Sequence, residues 1–342
     1  MASDAVDIHD DRPTYSEAVA DLVTRPLRES DSRVSLVALG LFALLILGFV
    51  GLSLRLVGGV SDYSKWGYYA ALVSFLLTTA GGAPMVAIAP ALAKANWVRP
   101  ISRIAQMFSV VGILTALMHI PLIFVLPPLV EEGIRRRSIW FGSSPYTPHI
   151  WDTIAIAGLA FIGLGLLWAN SVPDLAAIRE AGTGWRQRWA RRLAPGFVGT
   201  VHQWKALRVR IGMLGAGYFL FLIFTHIVFA SDFALAMVAG WKDAIFPMYH
   251  GLTSLQAGVA TTIIATYFIR RWGRLERYIG INQFWSLAKL QLALSLLWFY
   301  FFFSAFIVFW YGRTTVGGQV IDLFITGPYW WAFLAVFFLS FL

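Results

Sequence analysis

The sequence predicts an all-α, polytopic membrane protein in which eight helical spans are visible, the last of them incomplete. Three observations carry this. Hydrophobic residues fill 58% of the 342 positions and charged residues only 13%, whereas soluble domains are about one quarter charged. Mean hydropathy is +0.68. The charges that remain fall in clusters between apolar runs of roughly 20 residues, the length that crosses a hydrocarbon core of about 30 Å.

Taken in order, residues 1–33 form an acidic tail with eight acidic and four basic residues. Residues 34–171 hold spans one to four, read at 34–56, 67–93, 104–128 and 150–171. A basic segment follows at 172–209, with Trp185, Trp189 and Trp204 among its arginines. Tryptophan beside arginine is the composition of a helix lying in the membrane interface. Residues 210–342 hold spans five to eight, at 210–231, 250–270, 285–311 and from Tyr329 onward. The last run has 14 residues and rises only about 21 Å as a helix, so the span is expected to continue. No tandem repeat stands out.

Orientation follows from the basic residues, which favour the cytoplasmic side. One set of segments carries 18: Arg12, Arg25, Arg28 and Arg33, then Lys94, Arg99 and Arg103, seven between Arg179 and Arg208, and Arg270, Arg271, Arg274 and Arg277. The other set carries six: Lys65, Arg135, Arg136, Arg137, Lys242 and Arg313. The N-terminus is therefore expected in the cytoplasm, with Arg135–Arg137 discordant unless they pair with Glu131 and Glu132. Basic residues distributed between spans suit anionic lipid headgroups and make nucleic acid a poor partner. The chain has no cysteine, which excludes cysteine-held iron–sulfur clusters, covalent c-type haem and disulfides within it. The acidic N-terminus has no apolar stretch before Val34 and reads neither as a secretory signal nor as a presequence.

Ionisable groups inside spans are costly and mark candidate sites. They are His119 in span three, Asp152 opening span four, His226 and Asp232 at the end of span five, and Lys289 in span seven; His250 starts span six. With the N-terminus inside, all but Lys289 fall in the outer half. Such a His/Asp cluster suits quinol oxidation, which releases two protons that imidazole and carboxylate groups can accept. Each residue also has a plainer use: a helix-to-helix hydrogen bond for His119, dipole compensation for Asp152, a cap for Asp232, and a structural place at the interface for His250. Axial ligation of a b-type haem by His119 and His226 is a further alternative. Lys289 either reaches for the inner interface or, with Gln291 and Gln283, forms an inner proton entry. Gly81-Gly82-Ala83-Pro84 reads as close packing, or as free carbonyls on a polar path.

Two stretches carry a family resemblance. One runs from Trp151-Asp152 through Trp168 to Val172-Pro173-Asp174-Leu175-Ala176 and Arg179; the other is Ser231-Asp232-Phe233-Ala234, Gly240-Trp241, then Ile245-Phe246-Pro247 and Tyr249. Together they resemble the NrfD/PsrC family of quinone-interacting membrane subunits, and more closely the two related membrane subunits of bacterial alternative complex III. Tyr15 among acidic residues, with a proline before the first span, fits as well. The resemblance covers most of residues 15–311. It implies two four-helix bundles with peripheral helices, no redox cofactor of the chain's own, and a place in the bacterial cytoplasmic membrane. The implied partners are a homologous membrane subunit, iron–sulfur and cytochrome c subunits carrying the clusters and haem, lipids, and the quinone pool with quinol or menaquinol as substrate. His119, Asp152 and Asp232 become quinol-side or proton-path candidates. His119 is followed by Ile120-Pro121-Leu122, where quinol-binding members are expected to have Gly-Arg-Pro nearby.

Three readings remain at this point: a quinol-contacting or proton-conducting subunit of such an oxidoreductase, a structural anchor of the same complex, and a secondary transporter. The topology is testable because the chain lacks cysteine. Arg188→Cys should react with a membrane-impermeant maleimide only when the cytoplasmic face is opened; labelling of sealed spheroplasts from outside would invert the assignment.

Overall fold

The computed structural model describes residues 14–24, 32–59, 63–125, 130–131, 133–135, 147–238, 241 and 243–341. Arg12, Arg25, Arg28, Glu132, Arg136, Arg137, Gly240 and Lys242 lie outside the described residues. The helices are α1 (Tyr15–Thr24), α2 (Ser32–Val57), α3 (Tyr63–Gly82), α4 (Met85–Leu92), α5 (Ser102–Met107), α6 (Val111–His119), α7 (Thr147–Ala181), α8 (Gly184–Leu193), α9 (Val201–Phe233), α10 (Ile245–Trp272), α11 (Ile281–Gly312), α12 (Thr315–Ile325) and α13 (Trp330–Phe341). Two-residue strands at Val130–Glu131 and Ile134–Arg135 make a small hairpin between spans three and four. Among the described residues, seven helical segments are long and apolar enough to cross a membrane, and the bent pair α12–α13 brings the number to eight. The chain is a multi-pass, all-α membrane bundle.

Span two is the unbroken run Trp66–Leu92 in hydropathy, but its helix is interrupted at Ala83-Pro84, between α3 and α4. Spans two to five pack as one four-helix group around Trp66, Val73, Leu77, Leu122, Ile156, Leu159, Leu166, Tyr218 and Leu222, all buried. A second core joins the far ends of spans two and three to spans six and seven through Val86, Ile101, Ala105, Val259, Ile279 and Leu287. Span two feeds both cores. The span-one helix α2 has no buried residue in its most apolar stretch. Its Arg55 guanidinium lies 5.3 Å from the centre of the Trp66 ring.

The contact between α3 and α10 sets the geometry. Ser74 Oγ lies 2.8 Å from His250 Nε2, and Ser254 Oγ donates to the Thr78 carbonyl at 3.3 Å, each pair separated by 176 residues. One turn further on, Gly82 meets Ser254 and Gly258. A Cβ at Gly82 would overlap the Ser254 carbonyl, and one at Gly258 would overlap the Gly82 carbonyl group. Small residues at every fourth position let two helix backbones touch, which replaces the hydrophobic drive that is missing between helices in lipid. The helices run parallel along this seam, as spans two and six must if the chain alternates across the bilayer. Gly81-Gly82-Ala83-Pro84 is thus a packing element, and its Gly81 carbonyl is taken by the Tyr218 hydroxyl at 2.7 Å.

Two expectations change. The 172–209 segment is not one interfacial element: α7 runs on to Ala181, α9 begins at Val201, and only α8 is separate. The extension of α7 past Pro173 is held by Arg103, which bonds the Asp174 carboxylate at 2.6 Å and the Asn170 carbonyl. Trp168 Nε1 donates to Leu193 O at 3.0 Å, and the Arg179 guanidinium donates to Ala194 O and Phe197 O, each at 2.7 Å, which folds α8 back on α7. Trp185 and Trp189 remain on the outer face of α8, 60% and 54% exposed. The second change is at the C-terminal end, where Thr315–Ile325, between the expected spans seven and eight, is helix α12 and bends 79° into α13.

At the end of the bundle that carries the basic loops, α1 is tied down by Asp21, whose carboxylate accepts from the Tyr278 hydroxyl at 2.7 Å. Glu17 accepts from the Thr14 backbone N–H at 2.9 Å, closing the start of α1. That bond and the one from the Thr14 side chain hold the Glu17 carboxyl below its usual value. Its contribution is therefore present above the ordinary carboxylate range and lost as pH falls through the depressed value. Tyr278→Phe should speed amide exchange in residues 15–24 without affecting the spans. Gly258→Ala should destabilise the purified protein by about 1–3 kcal/mol through overpacking, read as a fall in Tm in detergent. Gly48→Ala, with open space around its Cβ position, should not.

Candidate functional site

The site is built at one end of the bundle by spans two to five and the start of span six. His119 is the last residue of α6. The following Pro121 diverts the chain into a 3-10 turn, Ile120–Phe124, and the Met118 carbonyl is taken by the Tyr69 hydroxyl at 2.8 Å. The His119 ring is buried and packs on Phe229 and Phe233 of α9, with centroids 6.4 and 6.1 Å away. Those two residues flank Asp232 along the same helix.

Asp152 lies in the second turn of α7, five residues after its start at Thr147, and is 0% exposed. Compensating the helix dipole, an effect of the first turn, is therefore not its role. Asp232 lies in the last turn of α9, where a carboxylate opposes the dipole. Neither acid sits where helix stability would put it. The two side chains face each other closely enough to interact directly. Among the described residues, no side-chain hydrogen bond of good geometry reaches either oxygen of Asp152 or Oδ2 of Asp232. A carboxyl pair in contact takes up and releases protons as a unit.

A second polar unit lies about 9 Å back along α9, six residues at 1.5 Å each. His226 is fully buried, and its Nδ1 is 2.9 Å from Nδ1 of His250 on α10. His250 Nε2 in turn is 2.8 Å from Ser74 Oγ on α3. The other ring nitrogen of His226 faces the Leu77 backbone without good hydrogen-bond geometry. Two imidazoles joined Nδ1 to Nδ1 need one donor and one acceptor, so the link fixes the tautomer of each ring by that of the other. A proton gained at one ring can be relayed through the chain to Ser74.

Sequence reasoning placed His119, Asp152, His226 and Asp232 at one end, and they are at one end. They form two units there: the Asp152–Asp232 pair beside His119, and the His226–His250–Ser74 chain. Of the two histidines in the haem alternative, His226 bonds His250 and His119 packs against two phenyl rings. His250, read as structural, is a member of the chain, and Ser74 was missed. The available signal was the matched four-residue spacing of Ser74, Thr78 and Gly82 with His250, Ser254 and Gly258.

Lys289 and Gln291 form no part of either unit. Lys289 is exposed, and its Nζ sits 5.5 Å from the Trp285 ring centre. Gln283 is spent on the Gly280 N–H at 2.9 Å, starting α11. Gln291 Oε1 is buried without a partner among the described residues. A cavity of about 330 Å³ opens between α10, α11, α12 and α13, lined by Trp241, Phe246, Tyr249, Phe302 and Phe309 among others; neither Asp152 nor His119 reaches it.

Comparison of the chain with protein-family models and with curated proteins returns no match. His226→Ala and His250→Ala should be strongly non-additive. The double variant should lose about 0.5–2 kcal/mol less than the sum of the singles, measured by thermal unfolding in detergent.

Proposed function

We propose that this multi-pass membrane protein is a subunit of a quinol oxidoreductase of the alternative complex III type in the bacterial cytoplasmic membrane. Its own contribution is to accept protons and pass them on. The observation that supports this is the contact between Asp152 and Asp232, two carboxyls from neighbouring spans, buried at the bundle end that also holds His119 and the His226–His250–Ser74 chain. Quinol oxidation yields a quinone, two electrons and two protons. The electrons leave through iron–sulfur clusters and haem of partner subunits, since this chain has no cysteine to hold a cluster. The protons need basic sites near the aqueous surface, and a carboxyl pair with adjacent imidazoles supplies them.

Proton handling is favoured over quinol contact because the 330 Å³ cavity is lined almost wholly by apolar side chains and does not reach the carboxyl pair. The N-terminus is assigned to the cytoplasm, which places the polar cluster at the outer face. The resembling family supplies the remaining partners: a homologous membrane subunit and the subunits carrying iron–sulfur clusters and cytochrome c.

The test is turnover of the intact complex purified with this chain. Asp152→Asn and Asp232→Asn should each lower quinol oxidation by about 100-fold with assembly unchanged, and His119→Ala should lower it less. Full turnover in all three variants would make the cluster a helix-register device and the chain an anchor.

A further inference from the structure

The opposite end of the bundle holds a cavity of about 440 Å³ between α4, the turn after it, α5, α7 and α9. Lys94 and Arg99, from the turn after span two, and Arg208, from the start of span five, line it. Among the described residues, no aspartate or glutamate lines it. The carboxylate nearby in sequence to the lining Asn170, that of Asp174, is already engaged by Arg103 at 2.6 Å. Among the described residues, none of the three cations forms an ion pair. Deeper in, Gln106 accepts from Arg103 through its carbonyl oxygen at 2.9 Å, which leaves its NH₂ group as a neutral donor. The rest of the wall is apolar, with Ile88, Leu166 and Ile211 leading up the spans.

Three cations with no anionic partner among the described residues call for an anion, and the apolar wall calls for hydrocarbon attached to it. We propose that this cavity is a binding site for one anionic phospholipid, its phosphate held by Lys94, Arg99 and Arg208 and an acyl chain lying along Ile88 and Ile211. Free phosphate satisfies the cations but not the wall. The position suits a lipid as well, since basic pockets between spans on the cytoplasmic side are where anionic headgroups collect. The bound lipid bridges span two and span five, which share no ion pair of their own there among the described residues.

The test uses the delipidated full-length protein and native mass spectrometry, titrating phosphatidylglycerol, phosphatidylcholine and inorganic phosphate separately. Wild type should retain one phosphatidylglycerol at least about tenfold more tightly than phosphatidylcholine. Arg99→Gln/Arg208→Gln should lose that preference. Arg99→Lys/Arg208→Lys, which preserves charge, should keep it, as should Arg188→Gln/Lys205→Gln, which removes two charges elsewhere. Equal retention of both lipids by wild type, or an unchanged preference in Arg99→Gln/Arg208→Gln, overturns the proposal. Displacement of phosphatidylglycerol by inorganic phosphate, with phosphate alone binding equally well, makes the occupant a soluble anion and also overturns it.

Discussion

The backbone contact of Gly82 with Ser254 and Gly258 is the constraint on which the rest of the structure depends. Within lipid there is no hydrophobic gain from bringing two helices together, so association rests on close packing and on hydrogen bonds between spans. Where two glycines let α3 and α10 touch, the residues one and two turns away come within hydrogen-bond reach, and there Ser254 meets Thr78 and His250 meets Ser74. The same seam joins the two cores, one built from spans two to five and the other extending to spans six and seven. The helix break at Ala83-Pro84 lets span two serve both. Tyr218, reaching from α9 to the Gly81 carbonyl, secures that break from the other side.

The polar end of the bundle is costly to build, and its cost is unevenly shared. The His226–His250–Ser74 chain satisfies most of its own hydrogen-bonding groups, so it stabilises three spans while remaining able to relay a proton. Asp152 and Asp232 gain much less from their surroundings: one is past the first turn of its helix, the other opposes a helix dipole, and both are buried. A buried polar pair with so little local compensation is the kind of feature that stability does not maintain. That contrast is why the proposed proton handling centres on the carboxyls, with the imidazole chain serving the packing of the spans as well.

At the other end, residues that carried the family resemblance prove to be clamps. Trp168 and Arg179 fold α8 onto α7, and Asp174 anchors Arg103 just past Pro173. By occupying the nearby carboxylate, the Arg103 pair leaves Lys94, Arg99 and Arg208 without an anionic partner among the described residues. The acidic α1 packs at this same end through Asp21 and Tyr278, so α1 and the loop after span six share one side.

Composition and the spacing of apolar runs were sufficient to determine a multi-pass helical bundle and the approximate positions of its spans, because lipid demands about 20 apolar residues wherever a helix crosses. The gathering of His119, Asp152, His226 and Asp232 at one end was also legible, since alternating direction across a membrane converts position within a span into depth. Depth, however, says nothing of which way a side chain faces around its helix. Only the packing of α3, α9 and α10 decided that His226 turns to His250, that Ser74 completes the chain, and that Asp152 meets Asp232 rather than an aqueous cap. The helix α12 escaped notice because 11 residues are too short for the span criterion, and its place follows from contacts with α11 and α13. Rotation about helix axes and the closeness of two backbones are tertiary quantities, set by which residues are small enough to let neighbours touch.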